Sequence, residues 1–414
     1  MNRRLSAIAL AVLALSCNEP VGPPAKITAL PRSLTTAEQR LIEADNRFAI
    51  KLLKQMAADT RDTLTNLFVS PLSVAMALGM PYNGAAGTTE EAMRATLELE
   101  GMSVAEVNES YRSLIKLLRE LDPRVKFTIA NSIWYLDGYT VEQAFLHANR
   151  TYYDARVEAL DFASPTAPAT INEWVKQQTG GVIDKIVDQI PDNMRLYLIN
   201  AIYFKGDWTE QFDPSRTQPQ PFRLADGSSL NVPTMTHGKP ADIQLTWSPA
   251  ATIVDLPYGG QAFSMTIVLP NDTGNVDNLV AGLTADQWNE WTGNLGPSKN
   301  HVFLPKFKIT NDLVLIPTLG SLGMGIAFNC EPPDMADFTR IHTPSELCIT
   351  EVKHKTYVDV NEVGTEAAAV TSVGMGPTSA PPVIQVDRPF LFALRENLSG
   401  TILFMGVIRN PADQ

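Results

Sequence analysis

The chain has few cysteines and no excess of positive charge, and both facts exclude classes of protein. Only three cysteines, Cys17, Cys330 and Cys348, occur in 414 residues, too few for a disulfide-rich scaffold or a four-cysteine zinc site. Lys and Arg number 33 against 45 Asp and Glu, so the formal net charge is -12. Binding to nucleic acid phosphates requires many Lys and Arg side chains. We therefore expect no nucleic acid partner.

Motifs of common enzymes are also missing. The sequence contains no H-E-x-x-H, G-x-S-x-G, C-x-x-C or P-loop pattern, which are the signatures of several hydrolases, redox proteins and nucleotide-binding proteins. Its five histidines lie far apart and form no pair with metal-ligand spacing. We therefore predict that the protein is not an enzyme and needs no metal or other cofactor.

The N-terminus has the pattern of a targeting signal. Two arginines precede an apolar run, Leu5–Leu15, which is shorter than the about 20 residues that span a bilayer and is typical of a secretory signal. Ala14–Cys17, at the end of this run, resembles a bacterial lipobox, in which Cys17 would be lipidated. We predict a signal peptide over 1–16 and a proline-rich tether over 17–35. The protein would then be extracytoplasmic, either secreted or anchored to the bacterial envelope by a lipid.

From residue 36 onward the sequence alternates helical and strand patterns, with no repeat and no linker. Thr35 and Glu38 form a capping-box pattern before a run of apolar residues at helical spacing, and Ser70-Pro71 begins a second apolar helix. Apolar and β-branched segments predict strands, at Phe127–Tyr135, Leu196–Phe204, Ala262–Leu269 and Thr401–Ile408. This mixture favours one large α+β domain over 36–414.

Residues 362–383 are unusually small and weakly polar for their position between two strand patterns, Thr356–Asn361 and Pro389–Leu394. A segment of this length between strands is usually an exposed loop with a function. Every second side chain from Thr365 to Met375 is uncharged, and a strand directs alternate side chains to opposite faces. The segment is therefore suited both to a loop and to a strand inserted into a sheet.

Several segments, in the correct order from about residue 36 to 412, resemble the serpin family. They are Asn66–Ser73, Asn83–Thr88, Ile171–Gly180, Asn200–Trp208, the hinge-like Glu362–Ala369, Asp387–Phe390 and Leu403–Gly406. The resemblance implies an α+β serpin fold with three β-sheets, eight or nine helices and an exposed reactive-centre loop. It also implies a monomeric suicide inhibitor of serine proteases. The protease would attack the loop and form an acyl-enzyme, and the cut loop would then insert into the main sheet.

The resemblance also assigns roles to individual residues. It implies a hinge at Glu362, Gly364, Thr365, Glu366, Ala367, Ala368 and Ala369, a shutter at Ser70, Ser73, Asn200 and His354, and a breach at Trp208, Lys306 and Glu362. Spacing from Glu362 and from Pro389 agrees on Thr378–Ser379 as the reactive bond, with Met375–Gly376 as the alternative. Thr378 is small and uncharged, which favours elastase-like or subtilisin-like proteases over trypsin-like ones.

Two alternatives stay open at this point. The chain is either an inhibitor, as its uncharged alternate face suggests, or a non-inhibitory serpin that acts as a binding or structural protein. Cys330 and Cys348 are either paired or free buried thiols, because their spacing does not decide. We expect no heparin-type cofactor, since the stretch Thr96–Pro123, where some relatives have a basic helix, contains four acidic residues before its first arginine, Arg112.

Overall fold

The computed structural model describes residues 25–60, 65–271, 275–344, 346–365 and 382–413. In these ranges the chain forms nine α-helices and sixteen strands, with a few short 3₁₀ and π turns. The helices are α1 Thr36–Asp59, α2 Pro71–Tyr82, α3 Gly87–Thr96, α4 Val104–Glu120, α5 Gln143–Tyr152, α6 Ala167–Gln178, α7 Val276–Gly282, α8 Ala285–Gly293 and α9 Ile316–Leu319.

Each strand that the sequence predicts is present in the structure, among sixteen strands in the described ranges. They are β1 Leu67–Val69, β2 Val125–Leu136, β3 Arg156–Leu160, β4 Leu196–Asp207, β5 Gln218–Arg223, β6 Ser229–Thr236, β7 Ala241–Trp247, β8 Ala251–Tyr258, β9 Phe263–Pro270, β10 Gly296–Pro305, β11 Phe307–Val314, β12 Lys353–Val360, β13 Gly364–Thr365, β14 Val383–Gln385, β15 Phe390–Glu396 and β16 Ile402–Ile408.

The first two helices form as the sequence predicts. The Thr35 hydroxyl accepts a hydrogen bond from the Glu38 amide (3.2 Å), and the Glu38 carboxylate accepts one from the Thr35 amide (2.7 Å). This reciprocal pair satisfies two backbone donors at the start of α1. In α2, Ser70 caps the helix and Pro71 occupies its first turn, where proline has no hydrogen bond to lose. The α2 helix is buried along almost its whole length and supports the main sheet from below.

The main sheet has six strands in the order β11-β12-β13-β4-β2-β3. Strand β4 pairs antiparallel with β2 over eleven residue pairs, from Leu196 to Gly206. On its other side β4 pairs with the two-residue strand β13, which also pairs antiparallel with the end of β12. Within the described residues, β4 and β12 have no direct backbone pairing. The two long strands are therefore joined only at one end.

The other ten strands are linked through β10. The first half of β10 pairs with β7, and its second half pairs with β6 and β14, so this network comprises two sheets that share one strand. Together with the main sheet they make the three sheets that were expected. Every residue of β9, β15 and β16 is buried, which confirms the strands predicted from apolar runs.

One contiguous apolar core connects α1 and α2 with all three sheets, and a smaller cluster lies under α6. The described part of the expected tether also lies against this core. The Ile27 amide donates a hydrogen bond to the Gly260 carbonyl (2.8 Å), and the side chains of Ile27 and Leu34 pack on the core. Residues 1–24, including Cys17, lie outside the described residues. No helix in the described ranges is long and apolar enough to cross a membrane.

Candidate functional site

The hinge begins as a strand inside the main sheet. Thr365 lies between Gly206 of β4 and Val360 of β12, and its side chain is only 3% exposed. The Tyr258 and Thr365 hydroxyls are hydrogen bonded at 2.8 Å. Glycine is required at position 364, because a Cβ atom there would lie 2.2 Å from the Gly206 carbonyl oxygen. The hinge residues Glu366–Ala369 and the bonds Thr378–Ser379 and Met375–Gly376 lie outside the described residues.

Glu362 is held by a cluster of polar contacts just before the hinge strand. Its carboxylate accepts hydrogen bonds from the Lys306 ammonium (2.8 Å) and the Thr217 hydroxyl (2.7 Å), and its carbonyl accepts one from the Phe212 amide (2.9 Å). Burial alone would raise the pKa of Glu362, but the hydrogen bonds from Lys306 and Thr217 outweigh it, and the pKa lies below its usual value. Glu362 is therefore ionised and paired at neutral pH.

Trp208 supports the same turn from the end of β4. Its indole N–H donates to the Asn361 carbonyl (2.9 Å) and its amide donates to the Val363 carbonyl (2.8 Å). The indole ring stacks on Tyr258, with ring centres 4.4 Å apart. The structure thus brings the three predicted breach residues together around the start of the hinge, where they fix the backbone of residues 361–365.

The four predicted shutter residues also meet, beneath the middle of the main sheet. The Ser70 amide donates to Nε2 of His354 (3.0 Å), and the Ser73 hydroxyl donates to the side-chain oxygen of Asn200. Asn200 in turn donates to Asn131 on the neighbouring strand (2.7 Å). Burial lowers the pKa of His354 to about 4. The ring is neutral at physiological pH, so its Nε2 can accept the Ser70 hydrogen bond.

A cavity of about 340 Å³ lies where β4 and β12 are not paired. Its walls include Leu196, Tyr197, Leu198 and Asn200 on β4 and residues 346–354, which lead into β12, and α2 lies beneath it. The Tyr197 hydroxyl donates to the Glu351 carboxylate across this space. Burial and the Glu351 carboxylate raise the pKa of Tyr197 above its usual value, so the phenol remains the donor. This pair is a polar contact that bridges the two walls.

Cys330 and Cys348 are joined in a disulfide, with their Cα atoms 5.2 Å apart. The structure therefore decides between the two alternatives that the sequence left open. Both cysteines contribute to the wall of the cavity between β4 and β12. The disulfide connects residues 320–330, here called the turn after α9, to the segment that leads into β12.

Sequence reasoning missed several residues of this site. Thr217, Phe212 and Tyr258 contact the hinge from elements more than a hundred residues away in sequence, and Tyr197 and Glu351 are 154 residues apart. None of them belongs to a motif, and no periodic pattern relates them. The available signal was indirect, since the strand prediction for Leu196–Phe204 already placed Tyr197 on the strand next to the hinge.

Comparison with known proteins identifies the class that this fold and site define. The family model described as "Serpin (serine protease inhibitor)" matches residues 43–411. The chain therefore belongs to the serpin family. The family is described as one of serine protease inhibitors and not of enzymes, in agreement with the missing enzyme motifs.

Individual relatives cover nearly the whole chain. Iripin-8 of Ixodes ricinus is 33% identical and aligns with 89% of this chain and 93% of its own. The leukocyte elastase inhibitor of Xenopus laevis is 31% identical over 90% of this chain and 100% of its own. Among solved structures, the thermophilic serpin tengpin in its native state has a TM-score of 0.81 and 30% identity, over 93% of this chain and 97% of its own.

Proposed function

We propose that this chain is a suicide inhibitor of serine proteases whose cut loop inserts between β4 and β12. The observation that carries the proposal is the position of β13. Thr365 already pairs with both long strands at one end of the main sheet, while the rest of the space between them contains the cavity. The first residue of the insert is thus in place, and the segment after it needs only to continue as a strand.

The register of β13 defines where the following residues would lie. Continued without a bulge, it places Gly374 between Tyr197 and Glu351 and directs Ala367 and Ala369 to the same face as the buried Thr365. These side chains are small and uncharged, so they fit against the core. Insertion to Thr378 adds about 14 residues of strand, which at about 3.3 Å each moves an attached protease by about 46 Å.

The energy gained by insertion is large enough to drive this movement. If about a dozen new backbone hydrogen bonds each contribute about 1 kcal/mol net, insertion gains on the order of 10 kcal/mol. That is comparable with the whole stability of a typical domain. The uncut protein is therefore metastable, and cleavage of the loop releases the strand that completes the sheet.

The reactive bond that we propose is Thr378–Ser379. A protease whose primary pocket accepts small uncharged side chains would cut there, which favours elastase-like or subtilisin-like enzymes. One relative is named leukocyte elastase inhibitor, and this name supports the same class of target. Cleavage at Met375–Gly376 instead would suit a chymotrypsin-like pocket and would leave a shorter insert.

The test is to mix the full chain with an elastase-like protease and to analyse the products on a denaturing gel. We expect an adduct that survives SDS, because the acyl-enzyme is trapped before it hydrolyses. The control is the same protease with its active-site serine chemically blocked, which should form no adduct. Mass spectrometry of the released C-terminal peptide should place the cut after Thr378, and a cut outside residues 375–379 would contradict the assigned bond.

A non-inhibitory binding role is the second candidate. A solved structure with a TM-score of 0.80 and 27% identity is thyroxine-binding globulin in complex with thyroxine, so a protein of similar fold binds a small molecule. The same gel separates the two functions. Cleavage of the loop by active protease without any adduct would favour the binding role and would contradict inhibition.

We also propose that the protein is extracytoplasmic and that Cys17 is lipidated. The Cys330–Cys348 disulfide supports an oxidising compartment, since such bonds are rare where thiols are kept reduced. Growth with labelled fatty acid tests the anchor. The wild-type chain should incorporate the label and the Cys17→Ser variant should not. A wild-type chain without label would contradict lipidation of Cys17 and would favour an ordinary cleaved signal.

A further inference from the structure

The disulfide occupies the end of the insertion path that is farthest from the hinge. In the register of β13, Pro377 would arrive between Met194 and Cys348, and both of these residues line the cavity. Cys330 is exposed and Cys348 is half-buried. The bond is therefore accessible to a small reductant and adjacent to the last residues that an inserting loop must place.

Residues 348–351 are held by contacts to two separate parts of the molecule. Cys348 is bonded to Cys330, and the Ile349 amide donates to the Ala327 carbonyl (2.9 Å), and both of these partners belong to the turn after α9. On the side of β4, Glu351 accepts a hydrogen bond from Tyr197. The disulfide is the covalent member of this set. It fixes the segment to the turn after α9 and so restrains it from moving toward β4.

We propose that Cys330–Cys348 is a redox modification site that keeps the far end of the gap between β4 and β12 open for the loop. The co-reactant is a dithiol, from a small molecule or a protein. Two electrons and two protons pass from the dithiol to the protein, so that the Cys330–Cys348 bond breaks, two cysteine thiols form and the dithiol becomes a disulfide. The inference rests on the proposed insertion of the loop.

Reduction weakens the attachment of residues 348–351 to the turn after α9 and leaves their hydrogen bond to β4 in place. Once the covalent restraint is gone, the Ile349 hydrogen bond still attaches this segment to Ala327, and the Tyr197–Glu351 hydrogen bond draws it toward β4. The gap then narrows where residues 374–377 would lie. Insertion must first displace the segment again, so the reduced protein inserts more slowly than the oxidised one.

The experiment measures insertion without any protease. A fluorescent synthetic peptide with the sequence of residues 365–378 is incubated with the full-length protein, either oxidised or reduced by a dithiol under native conditions, and the rate of its stable incorporation is followed. We expect incorporation to be about fivefold slower after reduction, the effect of one net hydrogen bond. Thiol counting confirms the redox state of each sample.

Matched variants locate the effect. Cys330→Ser and Cys348→Ser should behave like the reduced protein without any dithiol, whereas Cys17→Ser should behave like the oxidised wild type and respond to the dithiol. Tyr197→Phe removes the opposing contact, so it should incorporate the peptide faster than wild type and lose most of the slowing caused by reduction.

The outcomes separate this inference from the proposed function. Equal or faster incorporation after reduction, with the peptide still incorporated, overturns the role of the disulfide and leaves loop insertion intact. If neither redox state incorporates the peptide, both the inference and the proposed insertion are overturned. Because reduction of the folded wild type needs no mutation, a cysteine variant that fails to fold does not prevent the test.

Discussion

Among individual side chains, Asp45 is a carboxyl group on the buried face of α1, and no Lys or Arg of the described chain forms an ion pair with it. It is only 3% exposed. One of its oxygens accepts a hydrogen bond from the Tyr111 hydroxyl (2.8 Å), and the other has no hydrogen-bond partner among the residues that the structure describes. Burial raises the pKa of Asp45 to about 7, although the Tyr111 hydrogen bond acts in the opposite direction. The folded protein therefore holds this proton more tightly than the unfolded chain.

We predict that wild type becomes less stable as the pH rises toward neutrality and above, and that Asp45→Asn, which cannot lose this proton, does not. Since the folded pKa is raised, the stabilising effect of the proton is complete below the unfolded pKa and is lost as the pH rises through about 7. Wild type should lose about 2–3 kcal/mol relative to the variant between about pH 5 and pH 9. Urea unfolding midpoints of both proteins measure this. Glu43→Gln, an exposed position on the same helix, is the control and should follow wild type.

Glu362 leads to a second prediction for a single side chain. Glu362→Gln keeps an acceptor for Thr217 but removes the ion pair with Lys306, so the turn before the hinge is held less firmly. We expect the uncut loop to insert spontaneously more often, measured as the amount of latent or polymeric protein after mild heating. Glu366→Gln removes the other carboxylate of the hinge and should change little. An unchanged yield for Glu362→Gln would count against the role of this residue in restraining the hinge.

The hinge strand β13 makes a prediction that depends on alternation. Thr365 is buried against Tyr258, and continued pairing directs Glu366 to the other face. Thr365→Arg would bury an unpaired charge in the sheet, so we expect the variant to be cleaved by the target protease as a substrate without forming an adduct. The ratio of adduct to cleaved product on a denaturing gel measures the effect.

Glu366→Arg is the matched variant, since it places the same side chain one residue further on, where we expect it to point to the opposite face of the sheet. It should retain most of the adduct. If both arginine variants lose the adduct equally, the loop does not follow the register that β13 defines.

How far the sequence predicts these elements depends on the range of the interactions involved. Local signals, such as the capping box of Thr35 and Glu38, predict helix starts correctly because neighbouring residues produce them. Thr365 is buried, as its uncharged face predicts, but the rest of that alternation lies outside the described residues. The resemblance to the serpin family predicts one cluster that contains Ser70, Ser73, Asn200 and His354. The partners Thr217 and Tyr258, and the Tyr197–Glu351 contact, depend on tertiary packing between distant segments, which no local pattern records.

The main feature of the whole molecule is the gap in the six-stranded sheet, which under the proposed function receives one more strand. The six-stranded sheet is continuous except between β4 and β12, which are joined by β13 at one end and separated by the cavity at the other. Shutter residues lie beneath this gap and breach residues lie at its closed end. Under the proposed function, a cut loop that fills the gap would pair with both strands at once, so we expect the sheet with the loop inserted to be more stable than the uncut sheet.

This arrangement predicts that a single cut in the loop makes the protein more resistant to heat. A protease that cleaves near Thr378–Ser379 frees the whole hinge side to insert, and a gain on the order of 10 kcal/mol corresponds to a rise of the melting temperature on the order of 10 °C. Calorimetry or circular dichroism of intact and cut protein measures the rise. Thr365→Arg cut at the same bond is the control, because its hinge is blocked, and it should melt where it did before cleavage. A wild-type protein that melts no higher after the cut would show that its loop gains nothing by joining the sheet.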